Sequence, residues 1–534
     1  AHTTSGVGTT KNCTDCHLSE QNDNNAIMTQ LLGFGTGTVN FFGRFAYVGT
    51  DDHGLSAVAW TERSEPQAAI GSHLHRYAYP DNHAEHLKSG SILKTGYHHH
   101  AKGGAVDLQL RGEYLYAALG KNGFGVFDIA NVDNKNFSER IVTTPVSALG
   151  QDTFFDTAYA TSVALPSTLI NDPLRKRLPQ NEERPIADYH GYAFITDLEE
   201  GLIVADVATL LDGNPANNYV RKTASFNPEG ALSGARHAYM TGQWIYITTP
   251  RGISVVDVSD PKAPVLAGGY SGNFLNSPRQ STIQWRYLFV TDADGLKVLD
   301  ISNPAGPLPV PGASVKLGNA DGLYAARTYI YVANGADGLA LVDIKNPEKP
   351  RFVKNFTADG KLTDVRDVQV GSVSASMYAI VADGRNGMRV VQLISPENVP
   401  GHMGFSPVPN PKLIATYPTD GDAVTISRGL DRDRVVDESG NQTVVFGRRG
   451  AHPFSLEDMK TFYRSSSDGE PGHNGPVYRV SDKRHGEKGA LVDTMKRTLA
   501  PSRKFATPAS AAQNEEEPYW GRLKKRRPPE EMTR

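Results

Sequence analysis

Short apolar runs that alternate with polar positions at period two fill the middle of the chain, and glycines and Asx-Pro steps punctuate them. Tyr287-Leu288-Phe289-Val290-Thr291-Asp292, then Gly295-Leu296-Lys297-Val298-Leu299-Asp300-Ile301, then Asn303-Pro304 make one complete unit. Gly252-Ile253-Ser254-Val255-Val256-Asp257 begins 43 residues earlier, and Gly338-Leu339-Ala340-Leu341-Val342-Asp343 begins 43 later. Weaker copies start at Gly54, Gly123, Gly201 and Gly387. In five of the seven units an aspartate follows the glycine by five positions; the first unit has Ala59 there and the last has Gln392. Paired short strands with a turn, repeated every forty-odd residues, predict an all-β chain in which each unit is one propeller blade. A small sheet cannot cover both of its apolar faces alone, so the blades must pack radially about an axis. Seven units predict a seven-bladed β-propeller, with eight blades as the alternative.

The repeat bounds the domains. A first strand is expected at 38–42 and the propeller over 38–446, preceded by a segment 1–37 and followed by an irregular extension 447–534. Two insertions interrupt it. One, at 61–104, ends where the inner strand of the second blade is expected, at 105–110. The other, at 166–185, carries Arg175-Lys176-Arg177 and Glu182-Glu183-Arg184 and reads as a surface loop. Strands expected at 412–416, 423–427 and 443–446 would complete the last blade and close the ring on the first, which hides a strand edge. An eighth, degenerate blade is the other way to use them. In the extension, Ser455-Leu456-Glu457-Asp458 has the form of a capping box and predicts a short helix to about Arg464. The remaining charge runs there are too poor in apolar residues to build a core.

Val255-Val256-Asp257-Val258-Ser259-Asp260-Pro261 and Val298-Leu299-Asp300-Ile301-Ser302-Asn303-Pro304 resemble the LVIVD-repeat family of bacterial β-propellers, over about residues 40–415. The resemblance implies an architecture and leaves the activity open. The aspartates and Asn/Asp-Pro steps read as turn formers.

Composition narrows the function classes. A net charge of −3 over 534 residues gives no general attraction to nucleic acid, and no apolar run is long enough to span a bilayer. The only two cysteines, Cys13 and Cys16, stand directly before His17. Cys-X-X-Cys-His is the attachment signature of haem c: two thioether links and an adjacent proximal histidine. A thioredoxin-like pair would open a helix in a βαβ setting, which is missing, and a zinc site would need a second cysteine pair. One covalent haem c is therefore expected, with export to the periplasm or the cell exterior, the chain being read as a processed mature form.

Residues 1–37 are too few to enclose a haem, so a sixth iron ligand should come from elsewhere, and Met28 is the only methionine close by. The 61–104 insertion holds His73, His75, His83, His86, His98, His99 and His100, seven of the sixteen histidines. His98, His99 and His100 are the leading candidates for the distal ligand. They directly precede a strand, and an anchored backbone lowers the entropy lost on ordering a ligand. The other four are weaker candidates for iron or for a second metal such as copper.

A haem joined to a propeller also resembles haem-containing nitrite reductases and quinohaemoprotein dehydrogenases. The first would need a full helical cytochrome domain, and the second tryptophan-rich blades, whereas this chain has four tryptophans. Copper propellers gather axial histidines; His53, His190, His237 and His402 occupy different phases of their blades. Arg236-His237, Arg279-Gln280 and Arg366-Asp367 recur just ahead of inner strands. They predict either a cationic channel mouth or a set of blade-to-blade hydrogen bonds. The leading expectation is a monohaem c-type cytochrome on a propeller, transferring electrons between redox proteins or cytochromes. Its C-terminal tail is a candidate contact in a multi-subunit assembly. The alternatives are a haem or haem–copper oxidoreductase with its site at the His-rich insertion, and a structural subunit of a multihaem assembly.

Overall fold

The computed structural model describes residues 44–428, apart from 64–67, 100–102, 112–113, 130–141, 144–152, 167–187, 212–217, 285, 374–375 and 400–406, together with 448–449 and 452–453. Seven antiparallel sheets are arranged as seven blades. Blade 4 shows the plan: His237–Thr241 is innermost, followed outward by Trp244–Thr249, Gly252–Asp257 and Val265–Tyr270. Blades 5, 6 and 7 repeat it from Ser281–Gln284, Leu323–Ala326 and Asp367–Val373 outward. Blade 3 starts at Ala160–Ala164. In blade 2 the innermost strand is Asp107–Arg111, and the outer position is shared by Val142–Thr143 and Phe154–Phe155.

The unit glycine opens the third strand of every blade, and the reason is steric. Gly252, Gly295, Gly338 and Gly387 have φ of 140, 137, 79 and 76°. A Cβ on them would lie 2.0–2.3 Å from a carbonyl oxygen of the outer strand or its end, such as Tyr270 or Val315. Only glycine accepts both the left-handed backbone and that approach. Five positions on, the aspartate closes an Asx turn: Oδ1 of Asp257, Asp300 and Asp343 accepts from the N–H of Ser259, Ser302 and Lys345 at 2.8, 2.7 and 2.9 Å.

Blade 1 is built from both ends of the domain. Phe45–Thr50, Leu55–Ala59 and Gly96–His99 supply three strands, and Ala423–Ile426 fills the innermost position by pairing with Phe45–Thr50. The strand Lys412–Tyr417 is the outer member of blade 7. Ring closure is thus observed and no eighth blade is present among the described residues. The expected strands 38–42 and 443–446, the charged insertion and the capping-box helix lie outside the described residues.

Between successive blades runs a seam of buried apolar side chains, seven in all among the described residues. At the closure seam Trp60 packs edge-on to Tyr378, with ring centroids 5.5 Å apart, beside Val390 and Ile414. Each fully buried side chain of this size contributes roughly 1.5–3 kcal/mol, so every blade is held mainly by its two neighbours.

Candidate functional site

Three neighbourhoods carry the chemistry. The first is the axis. Strand register places Thr425, Asp107, Ser162, His237 and Asp367 at equivalent positions on the innermost strands of blades 1, 2, 3, 4 and 7. Their side chains reach across to the next blade. Asp107 Oδ2 accepts from Val163 N–H at 2.8 Å and from Ser162 Oγ at 2.7 Å. Asp367 Oδ2 accepts from Ile426 N–H at 2.9 Å and from Thr425 Oγ1 at 3.1 Å. Burial raises both carboxyls, that of Asp367 to about 6, and Asp107 adds repulsion to Asp367.

Arg428 leaves the closing strand of blade 1 and crosses toward blade 4. Its Nη2 lies 2.7 Å from His237 Nε2, its Nη1 lies 3.4 Å from Gln109 Oε1 on blade 2, and its guanidinium stands 5.9 Å over the Tyr239 ring. On its other side, His237 Nδ1 faces Ser281 N–H at 3.3 Å. Donors face both ring nitrogens, and since a neutral ring can accept at only one of them, a second ring proton would meet a donor on each side. Burial, with Arg428 adding to it, holds the His237 pKa well below the ordinary range. A neutral imidazole and a guanidinium therefore meet between the inner strands of blades 4 and 1.

Of the paired residues ahead of the inner strands, the arginines bridge blades. Arg236 Nη1 donates to Ser277 Oγ at 3.1 Å, Arg279 Nη1 to Asn319 Oδ1 and Ala320 O at 2.7 Å, and Arg366 Nη2 to Asp422 Oδ2 at 2.7 Å.

The second neighbourhood is the His-rich insertion. It folds into α1, His73–Ala78, and α2, Pro80–Lys88, before entering the outer strand of blade 1. Ser72 caps α1 through the His75 N–H, and Pro80 starts α2. Together they lean on the outer strand of blade 7: His86 Nε2 donates to Ile414 O at 2.9 Å, and Leu93 N–H to Thr416 O at 2.8 Å. His75 is fully committed. Its Nδ1 accepts from Gly71 N–H at 3.0 Å, and its Nε2 donates to Glu62 Oε1 at 2.9 Å. Burial lowers its pKa despite Glu62. His83, half-buried, packs against the His75 ring at 5.5 Å, and no hydrogen bond holds its nitrogens among the described residues. Burial lowers it too, with the neighbouring histidines adding to the effect. His73 Nδ1 is buried without a hydrogen bond. His98 and His99 lie on the outer strand of blade 1. His98 Nδ1 is 3.0 Å from Ser56 Oγ, and His99 sits edge-on to Phe127 at 5.2 Å. Cys13, Cys16, His17, Met28 and His100 lie outside the described residues.

The third is Asp51, Asp52 and His53, an exposed group whose ligand atoms lie within 4.8 Å of one another, at the mouth of the ring. His53 is paired with Asp52 there, far in character from the buried His237. Nothing therefore joins the two in an axial copper ring. His402 and the side chain of His190 lie outside the described residues.

Sequence patterns had marked His237 and Asp367 but not Asp107, Ser162 or Arg428. The hairpin between first and second strands varies in length, so their spacing from the unit glycine is not constant. Arg428 follows the last period altogether.

Comparison with known proteins finds the repeat in four stretches of the chain. Residues 102–143, 235–272, 284–310 and 317–358 match the LVIVD repeat. No curated protein matches the chain. Among solved structures, the β-propeller domain of Cps50 (Swd1) from Myceliophteria thermophila is similar, at 10% identity and a TM-score of 0.38, covering 62% of this chain and 91% of that one. U3-55K is similar at 10% identity and 0.39, covering 62% and 86%. A functionally unknown protein from Desulfotomaculum acetoxidans is similar at 11% and 0.36, covering 60% and 84%. The seven blade sheets and the matched stretches make the chain a β-propeller bearing LVIVD repeats. No helix among the described residues is long and apolar enough to cross a membrane.

Proposed function

We propose that the protein is an exported monohaem c-type cytochrome that passes electrons between redox partners, with the propeller as its docking body. The observation that carries this is Cys13-Thr14-Asp15-Cys16-His17, which uses every cysteine in the chain. Cys13 and Cys16 would hold the porphyrin and His17 the iron; the group, when bound, supplies one-electron chemistry.

The insertion has the donors for a sixth ligand. His75 has spent its lone pair on Gly71, and His86, bonded to Ile414 O, is buried under the insertion, 5% exposed. His83 keeps a lone pair available, and its low pKa keeps the ring neutral, as a metal ligand must be. Leu87, one helical turn on, is 55% exposed, so the surface beside His83 suits an apolar partner. His73, with a buried free nitrogen, is the second choice, and His98 to His100 follow.

Intact mass of the denatured protein should exceed 57.9 kDa by one haem, and the optical spectrum should be six-coordinate and low-spin. His83→Ala should turn it high-spin and open it to carbon monoxide, and His98→Ala should not. A bare polypeptide mass would end the proposal. A wild-type spectrum already high-spin would instead favour a haem oxidoreductase.

A further inference from the structure

The mouth of the axial channel holds charge that the inter-blade bonds leave uncompensated. Arg236 and Arg279, on adjacent blades 4 and 5, meet only neutral acceptors, Ser277, Pro278, Asn319 and Ala320, and only through Nη1. Among the described residues no hydrogen bond engages their Nε or Nη2. Arg366, on blade 7, is neutralised by Asp364 and Asp422.

At the matching place on blade 6 stands Asp321. Its backbone is fixed on both sides: N–H donates to Ala333 O at 2.9 Å, and C=O accepts from Thr291 Oγ1 at 2.7 Å. All three arginines act on its carboxyl, which burial nonetheless raises. No ion pair forms between Asp321 and any arginine among the described residues. The two arginines and the carboxyl thus stand just ahead of the inner strands of three successive blades, and the Nη1 bonds link each to the next: Arg236 reaches Pro278 O, beside Arg279, and Arg279 reaches Ala320 O, beside Asp321.

We propose that Arg236, Arg279 and Asp321 form a site for a small multivalent oxyanion, a phosphate or a dicarboxylate, with Arg366 as the far wall. A guanidinium fork matches two oxygens of such a group, and two forks on neighbouring blades can grip one ion from two sides. Asp321 is the built-in competitor, since its carboxylate draws on the same field that attracts the ligand. The acids Asp51, Asp52, Asp364 and Asp422 gather on the side of blades 7 and 1, which sets the ligand off-axis toward blade 5. The site is separate from the residues proposed for iron, so it stands or falls independently of them.

Calorimetric titration of the full chain at low ionic strength tests it, with inorganic phosphate in one arm and succinate in the other. One saturable site is expected in at least one arm, and the arm that binds more tightly names the ligand class. Arg279→Gln should weaken binding at least tenfold, with its thermal transition checked by circular dichroism. Asp321→Asn should tighten it several-fold, a gain that impaired folding cannot produce. The proposal is overturned if neither anion saturates wild type or Asp321→Asn, or if a folded Arg279→Gln binds as wild type does.

Discussion

Two single side chains show how much a residue can decide in this ring. Gly295→Ala must abandon a φ of 137° or push Val315 O away from 2.1 Å. It should cost about 2 kcal/mol or more in chemical denaturation, whereas alanine at the open Gly242 position, which also has positive φ but meets nothing within 4 Å, should cost less. Asp367 makes the second case. Its carboxyl lies near 6 in the fold against an ordinary 3.8. The folded state therefore binds this proton before the unfolded state does. Stability from this group is greatest below about 4 and is lost as pH rises through 6, by at most about 3 kcal/mol. Asp367→Asn keeps an oxygen for Ile426 N–H and removes the titration. Its Tm relative to wild type should climb between pH 4 and 7 and stay level above; a constant difference would show that Asp367 does not titrate there. The glycine and Asx positions were legible in the sequence because local stereochemistry fixes them. The protonation of Asp367 was not, since its burial comes from blades distant in the chain.

Among the elements, strands were legible and the insertion helices were not. Period-two patterning and β-rich composition announce a strand within six residues. The six residues of α1, His73–Ala78, mix good helix formers (Leu74, Arg76, Ala78) with indifferent ones, are too few to show a helical period, and carry one real signal, the Ser72 cap. What holds α1 and α2 is tertiary: His86 on Ile414 O, and Gly71, whose Cβ would lie 2.3 Å from Ile414 O and 2.9 Å from His86 Nε2. The His-rich stretch that suggested metal chemistry is thus in part a clamp over the outer strand of blade 7. Gly71→Ala should loosen it, with amide exchange rising across Lys412–Tyr417 and in α2 while blades 3 to 5 stay protected. Equal protection everywhere would show that the clamp is dispensable.

For the whole molecule, a count of glycine units predicted seven blades, because each blade needs one such turn. A short apolar run after the last unit, at 423–427, marked the closing strand, yet nothing in the repeat carried a trace of Arg428, which belongs to the axis and to no repeat. Removing residues 1–37 should leave a cooperative thermal transition, since the described blades supply one another's seams. A chain ending at residue 420 should lose that cooperativity, with blade 1 lacking its innermost strand. Closure has another consequence. Ile426 is the register partner of Val48, and Ser427 N–H donates to Tyr47 O at 2.9 Å, so the chain joins the ring at Arg44 and leaves it at Arg428 on neighbouring strands and the same face. Asp422 and Asp51 meet at the opposite face. A circular order is therefore built in: a short linker from 428 to 44 could replace the present break, and new ends could be cut between any two blades. Both flanking arms are moored at one point, on the face away from the arginine mouth, and a permuted ring would carry that mooring to whichever blade the new ends were cut beside.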